Sequence, residues 1–236
     1  MTAPTTIVDL ADKWELALPD VSDEDRHLAR TAVRLLAEGR PVEAERLSGA
    51  LGRPVLEVAD RLSQLFAVYR DDRERVIGIW GLFLIETPHR LLVDGRQLYA
   101  GCAGDALFLP FVLDRRTHVE STDPTNGERI TMVVSPDGVS DLAPTGAATS
   151  LMIPTKEGIG SDDPRGNVCA NHHFFGSKDA AQAWTAEHSG VVPLSIEDGF
   201  TISRWWAARL FGIGDAHALD PRVWAQRERR TTMTRN

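Results

Sequence analysis

The chain has 236 residues and a mass of 26.0 kDa, with 42% hydrophobic and 25% charged residues and a formal net charge of −8. That balance excludes disorder as the main state, and no apolar run reaches the roughly 18 residues that a membrane helix needs. The acidic excess, with 3 Lys among 26 basic residues, weighs against a nucleic-acid partner, which would call for a basic face.

Residues 1–5 read as a loose tail. They open an N-terminal extension (1–20) with a short helix, Ile7–Leu18, ended by Pro19. Ser22 then caps a helix whose first turn, Asp23-Glu24-Asp25, suits the helix dipole. Leu28, Ala32, Leu35 and Leu36 form its apolar stripe, and Gly39 closes it. A second helix is expected from near Pro41, with Val42, Leu47 and Leu51 inward. Gly52-Arg53-Pro54 turns into a third, with Val55, Val58, Leu62 and Leu65 on one face. Two β-prone runs follow, Phe66–Arg70 and Val76–Ile85. This order is that of a winged helix-turn-helix, assigned here to residues 21–85. Its presumed recognition helix, Pro54–Phe66, carries Glu57 and Asp60 beside Arg61. That composition suits packing or docking better than reading base edges.

A second unit, residues 86–226, begins after a boundary near 81–90. Asp94-Gly95 between Leu91–Val93 and Gln97–Ala100 signals a hairpin. Cys102–Leu113 reads as an apolar helix. Thr117–Ser121, Arg129–Val134, Thr149–Ile153 and Val168–Phe175 read as strands, Thr155–Asn167 as a polar loop, and Asp179–His188 and Ile196–Leu210 as helices. Residues 227–236 form a tail. The expected class is therefore α+β: a winged helix-turn-helix-like domain, then a mixed or antiparallel sheet domain with flanking helices.

The chemistry concentrates in two segments. Cys102 and Asp105 lie three apart on one face of a helix start. The dipole there should lower the thiol pKa, and apolar neighbours such as Leu107 and Phe108 should raise that of the carboxyl, making it a proton carrier. The plainer reading is a core cysteine beside a dipole-paired aspartate. In the second segment, a strand would point Cys169, Asn171 and His173 to one side. His172 and His173 invite a zinc reading, but neither CxxC nor HxxxH spacing supports one. Two cysteines are too few for a secreted disulfide scaffold, and no basic-then-apolar leader opens the chain, so a reducing cytoplasm and no membrane association are expected.

The run Leu98-Tyr99-Ala100-Gly101-Cys102-Ala103-Gly104-Asp105-Ala106-Leu107, the later Cys169 before His173-Phe174-Phe175, and Val134-Ser135-Pro136 resemble the organomercurial (alkylmercury) lyases. The winged-helix pattern over Pro41–Leu62 extends that resemblance to most of the chain. It implies protonolysis of a carbon–mercury bond, giving a hydrocarbon and Hg(II). Cys102 and Cys169 would be the two thiolates and Asp105 the proton donor. The same three residues would hold the Hg(II) product, with no cofactor required. The implied partners are the organomercurial substrate, low-molecular-weight thiols such as glutathione for product release, and a mercuric reductase as Hg(II) acceptor. The chain departs from the family in having Gly101 where a large aromatic is frequent, Ala170 where many members carry a further cysteine, and a longer N-terminal tail. These differences bear on substrate range and product handling. Three alternatives stay open at this point: a metal-sensing winged-helix regulator, a non-catalytic thiol-dependent metal binder, and a cysteine hydrolase pairing Cys102 with His118, His172 or His173.

Overall fold

A computed structural model describes residues 6–153 and 168–223. The expectations for the two tails and for the Thr155–Asn167 loop fall outside the described residues. Helix α1 (Ile7–Ala17) starts in a capping box, with Thr6 Oγ1 accepting from Asp9 N–H and Asp9 Oδ2 accepting from Thr6 N–H. Helix α2 (Asp23–Leu36) is capped by Ser22 and buries Leu28, Ala29, Ala32, Val33 and Leu36. Helix α3 (Ala44–Leu51) starts later than expected. Val42 stays extended because it exchanges both backbone hydrogen bonds with Val76, each 2.9 Å. Helix α4 (Val55–Gln64) completes the helical part of the winged unit.

The run expected as one strand over Val76–Ile85 is two. β1 (Val68–Arg70) pairs with β2 (Val76–Ile79), and β2 turns back at Trp80-Gly81 into β3 (Leu82–Phe83). Both turn residues have positive φ, 43° and 93°, the backbone of a tight two-residue hairpin. β4 (His89–Val93) and β5 (Arg96–Ala100) form the hairpin expected at Asp94-Gly95, again with both φ positive. β6 (Thr117–Thr122), β7 (Arg129–Ser135) and β8 (Gly138–Ala143) extend the sheet, giving the order β1-β2-β3-β5-β4-β6-β7-β8 with every pairing antiparallel. The wing strands therefore continue into the main sheet through β3 and β5.

Helix α5 (Ala103–Leu113) follows β5 directly, and nine of its eleven residues are buried. Such an all-round apolar helix must be covered on every side. The sheet covers one side and α7 (Ile196–Phe211) another. A small second sheet has β9 (Ala148–Met152) between β10 (Phe174–Phe175) and β11 (Val191–Ser195). Helix α6 (Lys178–Ala186) lies before β11. The α+β class and the antiparallel sheets agree with expectation. β8 and β11 were not anticipated; both are edge strands, and β11 contains Pro193.

The Val168–Phe175 strand is corrected. Only Phe174 and Phe175 pair in a ladder, and Cys169–Asn171 form one turn of 3₁₀ helix. Local bonds hold the turn: Asn171 N–H to Val168 O at 3.2 Å and His172 N–H to Cys169 O at 3.1 Å. Ser150 Oγ stands in for strand pairing, donating to Asn171 O and accepting from His173 N–H. Cys169, Asn171 and His173 therefore do not alternate on one face.

Candidate active site

The site forms where β5 ends. Gly101 leads into Cys102, the N-cap of α5, whose carbonyl accepts the helical bond from Ala106. Asp105 lies in the first helical turn. The 3₁₀ turn carrying Cys169 is tied to this helix start by a bond from Ala103 N–H to His172 O, 3.1 Å. A single backbone bond thus couples two segments separated by more than sixty residues. Sγ of Cys102, Sγ of Cys169 and a carboxylate oxygen of Asp105 all lie within 4.8 Å of one another. The Cys169 thiol faces Asp105 Oδ2 at 3.9 Å. Both cysteines are free thiols; Cys102 is buried and Cys169 half-buried.

Glycines shape the space around the carboxylate. A Cβ at Gly81 would come within 2.6 Å of Asp105 Cγ, and one at Gly101 within 2.7 Å of its Oδ2. Gly81 also has φ +93°, which side chains rarely adopt. Asp105 is thereby confined between the β2–β3 turn and the end of β5. The three groups open into a mostly apolar cavity of about 130 Å³, walled by Trp14, Tyr69, Trp80, Phe83, Phe108 and Trp206.

The expected low Cys102 pKa is corrected. Burial pushes this thiol well above the ordinary cysteine range, and contact with Cys169 and the negative charge of Asp105 push it the same way. Removing the sulfur from water outweighs the helix dipole, which acts over one turn and is worth about 1 kcal/mol. His172 is also buried, with Nδ1 at 3.7 Å from Cys102 Sγ, and burial lowers its pKa to about 3.

The remaining sequence candidates separate. His173 turns away, its Nε2 at 2.8 Å from Ala170 O and its ring edge-on to Trp184. His118 is exposed on the other face of the main sheet, beside Arg90 and Glu120. Neither joins the thiols. Phe108 lines the cavity, whereas Leu107, Phe174 and Phe175 are fully buried core. Sequence reasoning missed Gly81, Trp14 and Trp206, and it saw His172 only as a zinc or hydrolase candidate. No local signal marks them, because each reaches the site from a distant element.

A family model described as alkylmercury lyase matches residues 84–208, and one described as the helix-turn-helix domain of alkylmercury lyase matches residues 8–80. The alkylmercury lyase of Staphylococcus epidermidis is 39% identical over 182 residues, 77% of this chain and 82% of that protein. That of Pseudomonas putida is 36% identical over 180 residues, 76% of this chain and 82% of that one. Among solved structures, the mercury-bound form of MerB2 superposes with a TM-score of 0.70 at 23% identity, over 86% of this chain and 98% of the other, a likeness of fold.

Proposed function

This chain belongs to the alkylmercury lyase family, and from that premise we propose that it cleaves the carbon–mercury bond of alkyl and aryl mercury compounds with Cys102, Cys169 and Asp105. The observation that carries this reading is the convergence of two thiols and one carboxylate within 4.8 Å at an apolar cavity. Mercury is soft and takes thiolates. Cys102 loses its proton to Asp105 and binds the mercury of R–Hg⁺. Cys169 releases its proton to solvent, adds as a second thiolate and enriches the metal–carbon bond in electron density. A carbanion cannot leave unaided, so Asp105 returns a proton to the carbon as the bond breaks. R–Hg⁺ and H⁺ give R–H and Hg²⁺, and the balance needs no redox partner. The metal stays on the two sulfurs, with Asp105 beside it, until external thiols or a mercuric reductase take it.

A sensor or passive binder would need the sulfurs but not the carboxylate, and the glycine enclosure around Asp105 favours the enzyme. The base of α4 and the one in the turn before it are also engaged within the protein: Arg61 pairs with Glu24 and Asp25, and Arg53 with Glu24 and Glu57. That argues against a phosphate-binding role for this helix. The test is a headspace assay with methylmercury or phenylmercury and excess thiol. The native protein should release methane or benzene, and Cys102→Ser none. Asp105→Ala should still bind Hg(II) but lose at least a hundredfold in cleavage rate, the usual scale for a missing general acid. A fully active Asp105→Ala protein would remove the carboxylate from the mechanism.

A further inference from the structure

One buried polar group at the site has no part in that chemistry. His172 is 1% exposed, and its ring lies against Trp206 (centroids 6.0 Å apart, 22° between planes) and Trp14 (6.2 Å). Its Nδ1 meets Cys102 Sγ, while its Nε2, shielded from solvent, has no hydrogen-bond partner among the described residues. Room for this contact depends on Gly104, where a Cβ would approach Nδ1 to 3.3 Å. The main chain of His172 accepts from Ala103 N–H and donates to Cys169 O. His172 therefore touches both cysteine-bearing segments, but its nitrogen stands outside the cluster formed by Cys102, Asp105 and Cys169.

The tautomer follows from the environment. Burial disfavours the charged ring, so one nitrogen carries a proton and the other a lone pair. Buried N–H groups without acceptors are rarer than buried acceptors left under-satisfied. The cavity wall already holds two indole N–H groups, of Trp14 and Trp206, without acceptors among the described residues. A proton on Nε2 would add a third. A proton on Nδ1 has the sulfur to bond.

The geometry points to His172 as a positioning residue: its Nδ1–H donates to Cys102 Sγ, fixes the sulfur in line with Cys169 and Asp105, and continues to bond that sulfur once it carries mercury. The Cys102 S–H is then turned toward Cys169 and Asp105, the side on which its proton must leave. This inference rests on the lyase reading for its kinetic consequence, but not for the hydrogen bond itself.

Two measurements separate those levels. In ¹⁵N-labelled full-length protein, the ring-nitrogen shifts of His172 should show a protonated Nδ1 and a bare Nε2, and Cys102→Ala should move the Nδ1 signal. A proton on Nε2 overturns the proposal whether or not the protein cleaves mercury compounds. With phenylmercury and excess thiol, His172→Leu and His172→Gln should lower kcat about tenfold, the scale of one hydrogen bond to a group gaining charge, with KM little changed. His172→Asn, whose amide reaches the Nδ1 position, should recover to within about threefold of native. Leu or Gln variants as active as native, or an Asn variant no better than Leu at equal melting temperature, would overturn it. If the native protein releases no hydrocarbon, the lyase reading falls and the nitrogen spectrum still decides the hydrogen bond.

Discussion

At the scale of single residues, the site is governed by a buried sulfur that resists ionisation. Cys102 is 3% exposed, with Cys169 and Asp105 beside it, and all three influences favour the neutral thiol. The reacting form is the thiolate. A thiol whose pKa lies above its ordinary value of about 8.5 is mostly protonated at neutral pH, so on the proposed route it reacts by passing its proton to Asp105, which keeps that proton in the site. Because that proton is not lost to water, the rate at which phenylmercury binds Cys102 should stay level between about pH 7 and 9. A slope near one over that interval would show that the Cys102 proton leaves to solvent instead of passing to Asp105. The residue types of this site were legible in the chain: the Cys102–Asp105 spacing and Cys169 were all singled out from the sequence. The sign of the thiol shift was not. Helix position can be read from a sequence, whereas the burial that desolvates Cys102 exists only after folding.

At the scale of elements, α1 is the part whose role the chain disclosed least. Its helical pattern and its end near Pro19 were readable, but nothing local indicates that it closes the site. Trp14 packs at a tilt against Trp206 of α7, with centroids 3.8 Å apart and 44° between planes, and lies beside His172, and with Leu18 and Pro19 it lines the cavity. Ion pairs hold the outer side of α1, with Glu15 meeting Arg209 and Arg222, and Asp12 meeting Arg222. Such partly exposed pairs contribute little each, so the apolar contact dominates. Trp14→Ala should cost about 3 kcal/mol of stability, the scale for a large buried aromatic, and raise KM for phenylmercury more than it lowers kcat. An unchanged KM would mean that α1 supports the fold without bordering the bound substrate. Elements with strong local signals, the Ser22-capped α2 and the Asp94-Gly95 hairpin, were placed well from sequence. Those decided by long-range pairing were not: Val42 left its helix for Val76, and the Cys169 strand became a turn because Ser150 supplies its hydrogen bonds.

At the scale of the whole molecule, two buried histidines make stability depend on pH. His89 opens β4 of the main sheet, its Nδ1 at 2.8 Å from Ser121 Oγ and its ring against Phe174, and His172 lies at the site. Burial lowers the pKa of each to about 3. In the unfolded chain each titrates near 6.5. Between those values the unfolded state binds a proton that the folded state refuses, so acid favours unfolding. The contribution is fully present above about pH 6.5 and is lost as pH falls toward 3, on the order of 4 kcal/mol per histidine. A domain with a net stability of about 5–15 kcal/mol cannot lose both and remain folded with margin. Guanidinium unfolding measured from pH 7 to 4.5 should therefore show stability falling by roughly 2–3 kcal/mol per pH unit near pH 5, the slope for two protons taken up. His172→Asn, which keeps a neutral partner for Cys102 but cannot titrate, should halve that slope, and a second substitution at His89 should remove most of the rest. If stability stays level from pH 7 to 5 in the native protein, the histidines are protonated within the fold. The imidazole at Cys102 would then titrate near its ordinary value and be neutral only above about pH 6.5.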